Sequence, residues 1–167
     1  TIPRAILNLA LPMTLAQLIN VLYNVVDRIY IGHLPNASTL ALTGLGLTFP
    51  VITIITAFAN LFGMGGAPLC SIARGKSDHA RAKQIMGNSF SLLLISGILL
   101  TVLCFLFKTP ILYLFGASEN TITYATAYMN IYAIGTIFVQ ITLGMNTFIT
   151  AQGKATTGMM TVLIGAV

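Results

Sequence analysis

The chain consists of long apolar runs separated by short polar segments. Four runs are long enough to cross a bilayer, which takes roughly 20 helical residues. They cover residues 6–31, 47–72, 85–107 and 121–151, and a fifth run that begins near Thr157 is too short to cross. Barrel strands would alternate over roughly ten residues, and these runs do not alternate. The pattern therefore predicts an all-α integral membrane protein, a polytopic helical bundle.

The composition supports a hydrocarbon environment. Of 167 residues, 56% are hydrophobic and only 7% are charged, whereas a soluble domain carries about 25% charged residues. A soluble protein of this size is therefore excluded. The two cysteines, Cys70 and Cys104, both fall inside apolar runs, which favours a packing role over a disulfide or a metal site.

The basic residues predict an orientation. If the spans alternate, only Arg28 and Lys108 fall on one side of the membrane, and the other basic residues fall on the opposite side: Arg4, Arg74, Lys76, Arg81, Lys83 and Lys154. Because basic residues concentrate on the cytoplasmic side, the amino end and the second and fourth connections are predicted to be cytoplasmic. The basic cluster at residues 74–83 is interpreted as a loop that sets this topology and touches anionic lipid heads.

That cluster also contains Gly75, Lys76 and Ser77, which match the end of a phosphate-binding loop. The first glycine of that motif would stand where this chain has Cys70, and no strand precedes it, so a phosphate loop is excluded. The basic residues punctuate apolar runs and form no broad patch, which argues against nucleic-acid binding.

The first span carries a polar stripe, defined by Gln17, Asn20, Asn24 and Asp27. The steps of three, four and three residues place these side chains on one helical face. A membrane helix does not direct such a stripe at lipid, so the stripe is predicted to face the bundle interior or a water-filled cavity. The alternative for Asp27 is an interfacial acid paired with a polar neighbour, although Arg28, the next residue, points in another direction.

Two further rows of polar residues recur at helical spacing. Thr53, Thr56 and Asn60 share a face of the second span, and the fourth span repeats a polar side chain every four residues at Tyr124, Tyr128, Tyr132, Thr136 and Gln140. Each row predicts either a lined pathway or hydrogen bonds between helices. Residues 63–68 form a small-residue cluster ending in a proline, which predicts close helix packing or a bending point.

Enzyme chemistry finds little support in the sequence. His33 and His79 are predicted to lie on opposite sides of the bilayer, and the sequence contains no cluster of His, Asp and Glu residues. A catalytic metal site is therefore not expected. The sequence predicts neither an enzyme nor a cofactor.

Three segments resemble the multidrug and toxic compound extrusion (MATE) family of transporters, over essentially the whole chain. They read "LALPMTLAQLINVLYNVVDRIYIGHL", "ALTGLGLTFPVITIITAFANLFGMGGAPLCSIARGK" and "GMNTFITAQGK". The resemblance implies twelve spans in two six-helix lobes around a central cavity. Residues 1–167 would then supply the first four spans and the start of a fifth in the amino-terminal lobe, and their partner would be the remainder of the same polypeptide.

The resemblance also implies a function. Family members export organic, often cationic, compounds in exchange for protons or sodium ions, and in many bacterial members an Asp matching Asp27 takes part in a cation site of the amino-terminal lobe. We therefore expect Asp27 and Asn24 to bind the coupling proton or sodium ion, in the bacterial plasma membrane. The predicted substrate pathway comprises Gln17, Asn20, Thr56, Asn60, Tyr132 and Gln140.

Two alternatives remain open at the level of the sequence. A lipid-linked glycan flippase of related architecture would line its cavity with Arg or Lys to hold a diphosphate, and the spans are almost free of basic residues, Arg28 excepted. A structural membrane subunit that transports nothing would use the polar stripe only for helix packing.

Overall fold

The structure, a computed structural model, describes residues 2–33 and 38–166. Within those ranges the chain forms α1 (Ile2–Gly32), α2 (Ser38–Gly75), α3 (His79–Leu114), α4 (Glu119–Ala151) and α5 (Ala155–Ala166). Four of these helices are long and apolar enough to cross a membrane, and α5 has 12 residues. The predicted all-α polytopic bundle is confirmed.

The core lies between α2, α3 and α4, which pack against one another. One buried cluster joins Val51 and Ile55 of α2 to residues of α3 and α4, including Cys104. A second cluster, nearer the α2–α3 turn, contains Cys70 and Phe148. Both cysteines are buried and free, as the apolar runs predicted. Helices α1 and α5 contact each other, and α1 also contacts α2 while α5 contacts α4.

The small-residue cluster in α2 allows a close helix crossing. A Cβ on Gly63 would lie 2.7 Å from the carbonyl oxygen of Gly144 on α4, and a Cβ on Gly66 would lie 2.7 Å from the ring of Phe148. Helix α2 continues through Pro68 to Gly75. The cluster therefore brings the backbones of α2 and α4 together, in agreement with the packing interpretation.

The three turns that follow α2, α3 and α4 share one backbone motif. The second residue after each helix adopts a left-handed conformation: Ser77 (φ 60°), Gly116 (φ 94°) and Gly153 (φ 80°). The amide of the following residue then donates to a carbonyl in the last turn of the helix, in the pairs Asp78–Ala73, Ala117–Leu112 and Lys154–Ile149. This is the Schellman arrangement, which satisfies otherwise unpaired carbonyls at a helix end.

The helices are longer than the apolar runs, so three of the predicted connections were too long. The connection between α2 and α3, for example, covers only residues 76–78. Helix α2 begins at Ser38 instead of residue 47. Gly44, in this added part of the helix, is buried, and a Cβ on it would lie 3.0 Å from the amide nitrogen of Ala125. Helix α3 runs past residue 107 and through Pro110, where Leu112 is fully buried. Packing against neighbouring helices therefore extends both helices into segments with turn-like composition.

Candidate functional site

A cavity of about 340 Å³ lies between α1, α2, α4 and α5, and part of the polar stripe opens onto it. Gln17 and Asn20 line it from α1 and Asn60 lines it from α2. Met13 and Met64 supply apolar surface. We refer to this space as the amide cavity. Its polar wall from α4 consists of Thr142, Asn146, Thr147 and Thr150.

Hydrogen bonds continue the stripe from the amide cavity towards the other end of α1. The Asn24 side-chain nitrogen donates to the Asn20 side-chain oxygen at 2.9 Å and to the Asn20 backbone carbonyl at 2.8 Å. Asn20 therefore belongs both to the cavity wall and to a bonded pair of amides one turn further along. Asn24 leaves its own side-chain oxygen for a further donor or a cation.

Asp27 ends the stripe and is turned towards protein. It is half-buried, whereas every other residue from 20 to 30 is exposed. Arg28 turns to α2, where its guanidinium lies 5.4 Å from the centre of the Phe49 ring, a cation–π contact. Asp27 is therefore partly shielded by protein, while the neighbouring cation is held against α2.

The polar row on α4 leads from the surface into the packed core. Tyr124 is exposed, and Tyr128 and Tyr132 are half-buried with stacked rings 6.3 Å apart. Gln140 is fully buried, and its side-chain nitrogen donates to the Ile55 carbonyl of α2 at 2.9 Å. Hydrogen bonding between helices was one of the two interpretations of this row. The row makes such a bond at its inner end, at Gln140.

The structure thus brings together only part of the predicted pathway. Gln17, Asn20 and Asn60 meet at the amide cavity. Tyr132 packs against the core cluster of α2, α3 and α4, next to the region that Gln140 occupies. Thr56 is half-buried, and its hydroxyl donates to the Thr53 carbonyl at 3.0 Å within its own helix.

Asn146 lines the amide cavity and was not among the predicted site residues. Its side-chain nitrogen donates to the Gly158 carbonyl at 3.1 Å and to the Thr161 hydroxyl at 2.8 Å, which ties α4 to α5. The sequence held a signal for it, because Thr142, Asn146 and Thr150 also recur every four residues. This second row is offset from the tyrosine row on the same helix, and only the position of α5 shows which row meets the cavity.

In the part of the chain that the structure describes, Asp27 does not belong to a cluster of metal-ligating side chains. Within residues 2–33 and 38–166, no group of three or more His, Cys, Asp and Glu side chains lies together. Asp27 and Asn24 offer carboxylate and amide oxygens, which are ligand types that hard cations prefer. A transported sodium ion at this position would need further oxygen ligands from other elements or from water.

Comparison with known sequences identifies relatives of this chain. The family model described as MatE matches residues 12–167. The multidrug export protein MepA of Staphylococcus haemolyticus (strain JCSC1435) is 29% identical over 160 residues, which cover 96% of this chain and 35% of that relative. The chain therefore spans about a third of the length of this curated relative, whose name describes export and not a chemical reaction.

Two solved structures have the same fold. One, described as "protein A", gives a TM-score of 0.91 at 31% identity and covers 99% of this chain and 37% of its own. The other is described as an outward-facing conformation of a multidrug resistance MATE family transporter of the MOP superfamily. It gives a TM-score of 0.86 at 26% identity, over 97% of this chain and 35% of its own.

Proposed function

Because this chain belongs to the MatE family, we propose that it forms part of a secondary active transporter that exports organic, cationic compounds in exchange for protons or sodium ions. The chain is a multi-pass membrane protein. In this proposal residues 1–167 lie in the amino-terminal lobe, and further spans of the same polypeptide complete the pathway. Multidrug export by the MepA relative supports the substrate class.

The observation that carries the proposal is the meeting of amides from two spans at one cavity. Gln17 and Asn20 of α1 and Asn60 of α2 line the amide cavity, and all three are exposed. Helix α1 also exposes large apolar side chains such as Leu18 and Leu22. Polar groups in a span are costly unless they face protein or water. A chamber beside α1 that carries these amides in its wall therefore fits a route for a solute through the membrane.

Asp27 supplies the coupling in this mechanism. A proton binds a carboxylate oxygen, or a sodium ion binds it together with the Asn24 amide oxygen, and either event cancels the charge at a half-buried position. A cationic substrate competes for the same carboxylate, so ion and substrate occupy it in turn. If the inward-open and outward-open states hold the neutralised acid with different affinity, ion binding shifts the balance between them.

The lining of the amide cavity favours organic substrates over a lipid-linked diphosphate. Among the described residues of its wall are amides, hydroxyls and methionines, and none is Lys or Arg. Recognition of a diphosphate relies on such cations. Methionine side chains, here Met13, Met64 and Met159, adapt to apolar ligands of varied shape, as export of many compounds requires.

The basic residues support a location in the bacterial plasma membrane with the amino end in the cytoplasm. The α2–α3 turn carries Arg74, Lys76, Arg81 and Lys83, and the α4–α5 turn carries Lys154. Basic turns of this kind stay on the cytoplasmic side during insertion.

The decisive experiment changes Asp27→Asn in the complete protein and measures drug efflux under separately imposed proton and sodium gradients. Ion-coupled efflux should be lost while the amount of inserted protein stays unchanged. Glu119→Gln is the matched control, because Glu119 is an exposed acid in the first turn of α4 and loses the same charge. Normal efflux by Asp27→Asn would refute the coupling role and favour a purely structural polar stripe.

A further inference from the structure

A groove of about 390 Å³ lies where α2 ends and α3 begins. Its walls combine two chemistries. Leu69, Ile72 and Ile85 supply apolar surface from the two helices, whereas Lys76 and Arg81 supply positive charge beside the turn. We call it the interfacial groove, because α2 and α3 are membrane-span candidates that end and begin here.

The apolar wall has the composition expected of a surface in the acyl-chain layer. Leu69 and Ile72 are 56% and 55% exposed in the last turns of α2, where water would make such exposure unfavourable. Lys76 follows Ile72 by about one helical turn, so its charge reaches the level of the lipid headgroups while its alkyl stem stays near the acyl chains. An amphipathic ligand with an apolar tail and an anionic head matches both parts of the wall.

The charged part of the groove is built on a rigid turn. The Ser77 amide donates to the Arg74 carbonyl at 2.9 Å and the Asp78 amide donates to the Ala73 carbonyl at 3.0 Å. The Asp78 carboxylate also lines the groove, and it accepts a hydrogen bond from the Arg81 amide at 3.0 Å. A turn fixed in this way lowers the ordering cost of binding, and its carboxylate is occupied with capping α3.

The four basic side chains of this region are divided between two places. Lys76 and Arg81 line the interfacial groove, whereas Arg74 and Lys83 line a separate cavity of about 260 Å³ together with His79. A diffuse attraction to the membrane surface would involve all four equally. The geometry instead assigns one pair to a groove with an apolar wall.

We infer that the interfacial groove binds an anionic phospholipid. The headgroup phosphate lies between Lys76 and Arg81, and an acyl chain lies along Leu69, Ile72 and Ile85. This site is independent of the proposed transport function, since it lies outside the amide cavity and shares no residue with it. It gives the α2–α3 turn a specific lipid ligand in the leaflet on that side of the membrane.

The test uses the complete protein in detergent micelles and measures binding of phosphatidylglycerol and of phosphatidylcholine with the same acyl chains, by native mass spectrometry. Lys76→Gln/Arg81→Gln should weaken phosphatidylglycerol binding on the order of tenfold or more, as loss of two lipid-facing cations predicts. The matched control Arg74→Gln/Lys83→Gln removes the same amount of charge from the separate cavity beside the same turn. It should change phosphatidylglycerol binding less than about threefold. The charge-conserving pair Lys76→Arg/Arg81→Lys should retain binding.

Several results would overturn the inference. Equal losses in the two double Gln variants would mean diffuse attraction, and equal affinity for phosphatidylcholine would mean that no anionic head is recognised. Inorganic phosphate and glycerophosphoglycerol, which lack acyl chains, should fail to compete at the lipid's concentration. Competition by either one would identify a simple anion site in place of a lipid groove.

Discussion

The side-chain nitrogen of Gln140 on α4 donates a hydrogen bond to the backbone carbonyl of Ile55 on α2, at 2.9 Å, in the centre of the bundle. Gln140 is 0% exposed, and its side-chain oxygen has no hydrogen-bond partner among the described residues. An interhelical hydrogen bond in a membrane contributes about 0.6–2 kcal/mol, whereas a buried unpaired acceptor costs about 1–3 kcal/mol. The two effects nearly cancel, so this amide specifies helix position more than it adds stability.

Gln140→Met is therefore expected to leave stability almost unchanged. Methionine has a similar volume and removes the bond and the unpaired oxygen together, so the free energy of unfolding should change by less than about 1 kcal/mol. Gln140→Ala should lower it by about 2 kcal/mol or more, because it leaves a cavity. Denaturation of the complete protein in micelles measures both values, and a loss beyond about 2 kcal/mol in Gln140→Met would show that the oxygen has a partner.

Transport by the same variant tests the prediction that Gln140 lines the pathway. If Gln140 only joins α4 to α2, Gln140→Met should export drug at the rate of the unaltered protein. Reduced export at unchanged stability would instead support the pathway role. Asn60→Leu is the comparison, because Asn60 does line the amide cavity and its loss should reduce export.

The close crossing of α2 and α4 predicts opposite effects at two neighbouring glycines. Gly63→Ala should lower the free energy of unfolding by about 1–3 kcal/mol, because its Cβ would lie 2.7 Å from the Gly144 carbonyl oxygen and 2.8 Å from the Gly144 Cα. Gly65→Ala meets nothing within 4 Å and should be neutral or stabilising by up to about 1 kcal/mol. Unfolding midpoints measured in one detergent compare the two, and equal destabilisation would contradict this crossing.

The Schellman turns predict that Ser77 is less favourable for stability than a glycine at the same position. Ser77 has a φ of 60°, a conformation that costs a residue with a Cβ about 1 kcal/mol. Ser77→Gly should therefore raise the thermal midpoint of the complete protein. Gly153→Ala, at a φ of 80°, should lower it by a comparable free energy. A midpoint that falls in Ser77→Gly would show that the hydroxyl makes a contact stronger than the strain.

The orientation is tested by labelling single cysteines in intact cells. Both native cysteines are buried and are first changed to alanine. Asp78→Cys, at the α2–α3 turn, should react only with reagents that reach the cytoplasm, whereas Asn120→Cys, exposed at the opposite end of the bundle, should react with a membrane-impermeant maleimide from outside. The reverse pattern would invert the predicted topology.

Most of the fold could be predicted from the sequence, because each long helix depends on residues that are close to one another in sequence. Mean apolarity over a span-length window located all four long helices, and the spacing of Gln17, Asn20, Asn24 and Asp27 placed them on one face. The start of α2 and the end of α3 could not be predicted from the sequence, because they depend on burial of Gly44 and Leu112 against helices distant in sequence.

The sequence by itself determined the helical membrane architecture and the polar stripe, since hydropathy and the 3.6-residue period are local properties of the chain. Only the tertiary structure decided which polar rows reach a cavity. A row at four-residue spacing turns about 40° per step around a helix, so it begins at exposed Tyr124 and ends at buried Gln140. Whether such a turning row meets water, lipid or another helix depends on where the neighbouring helices lie, and the period alone does not contain that position.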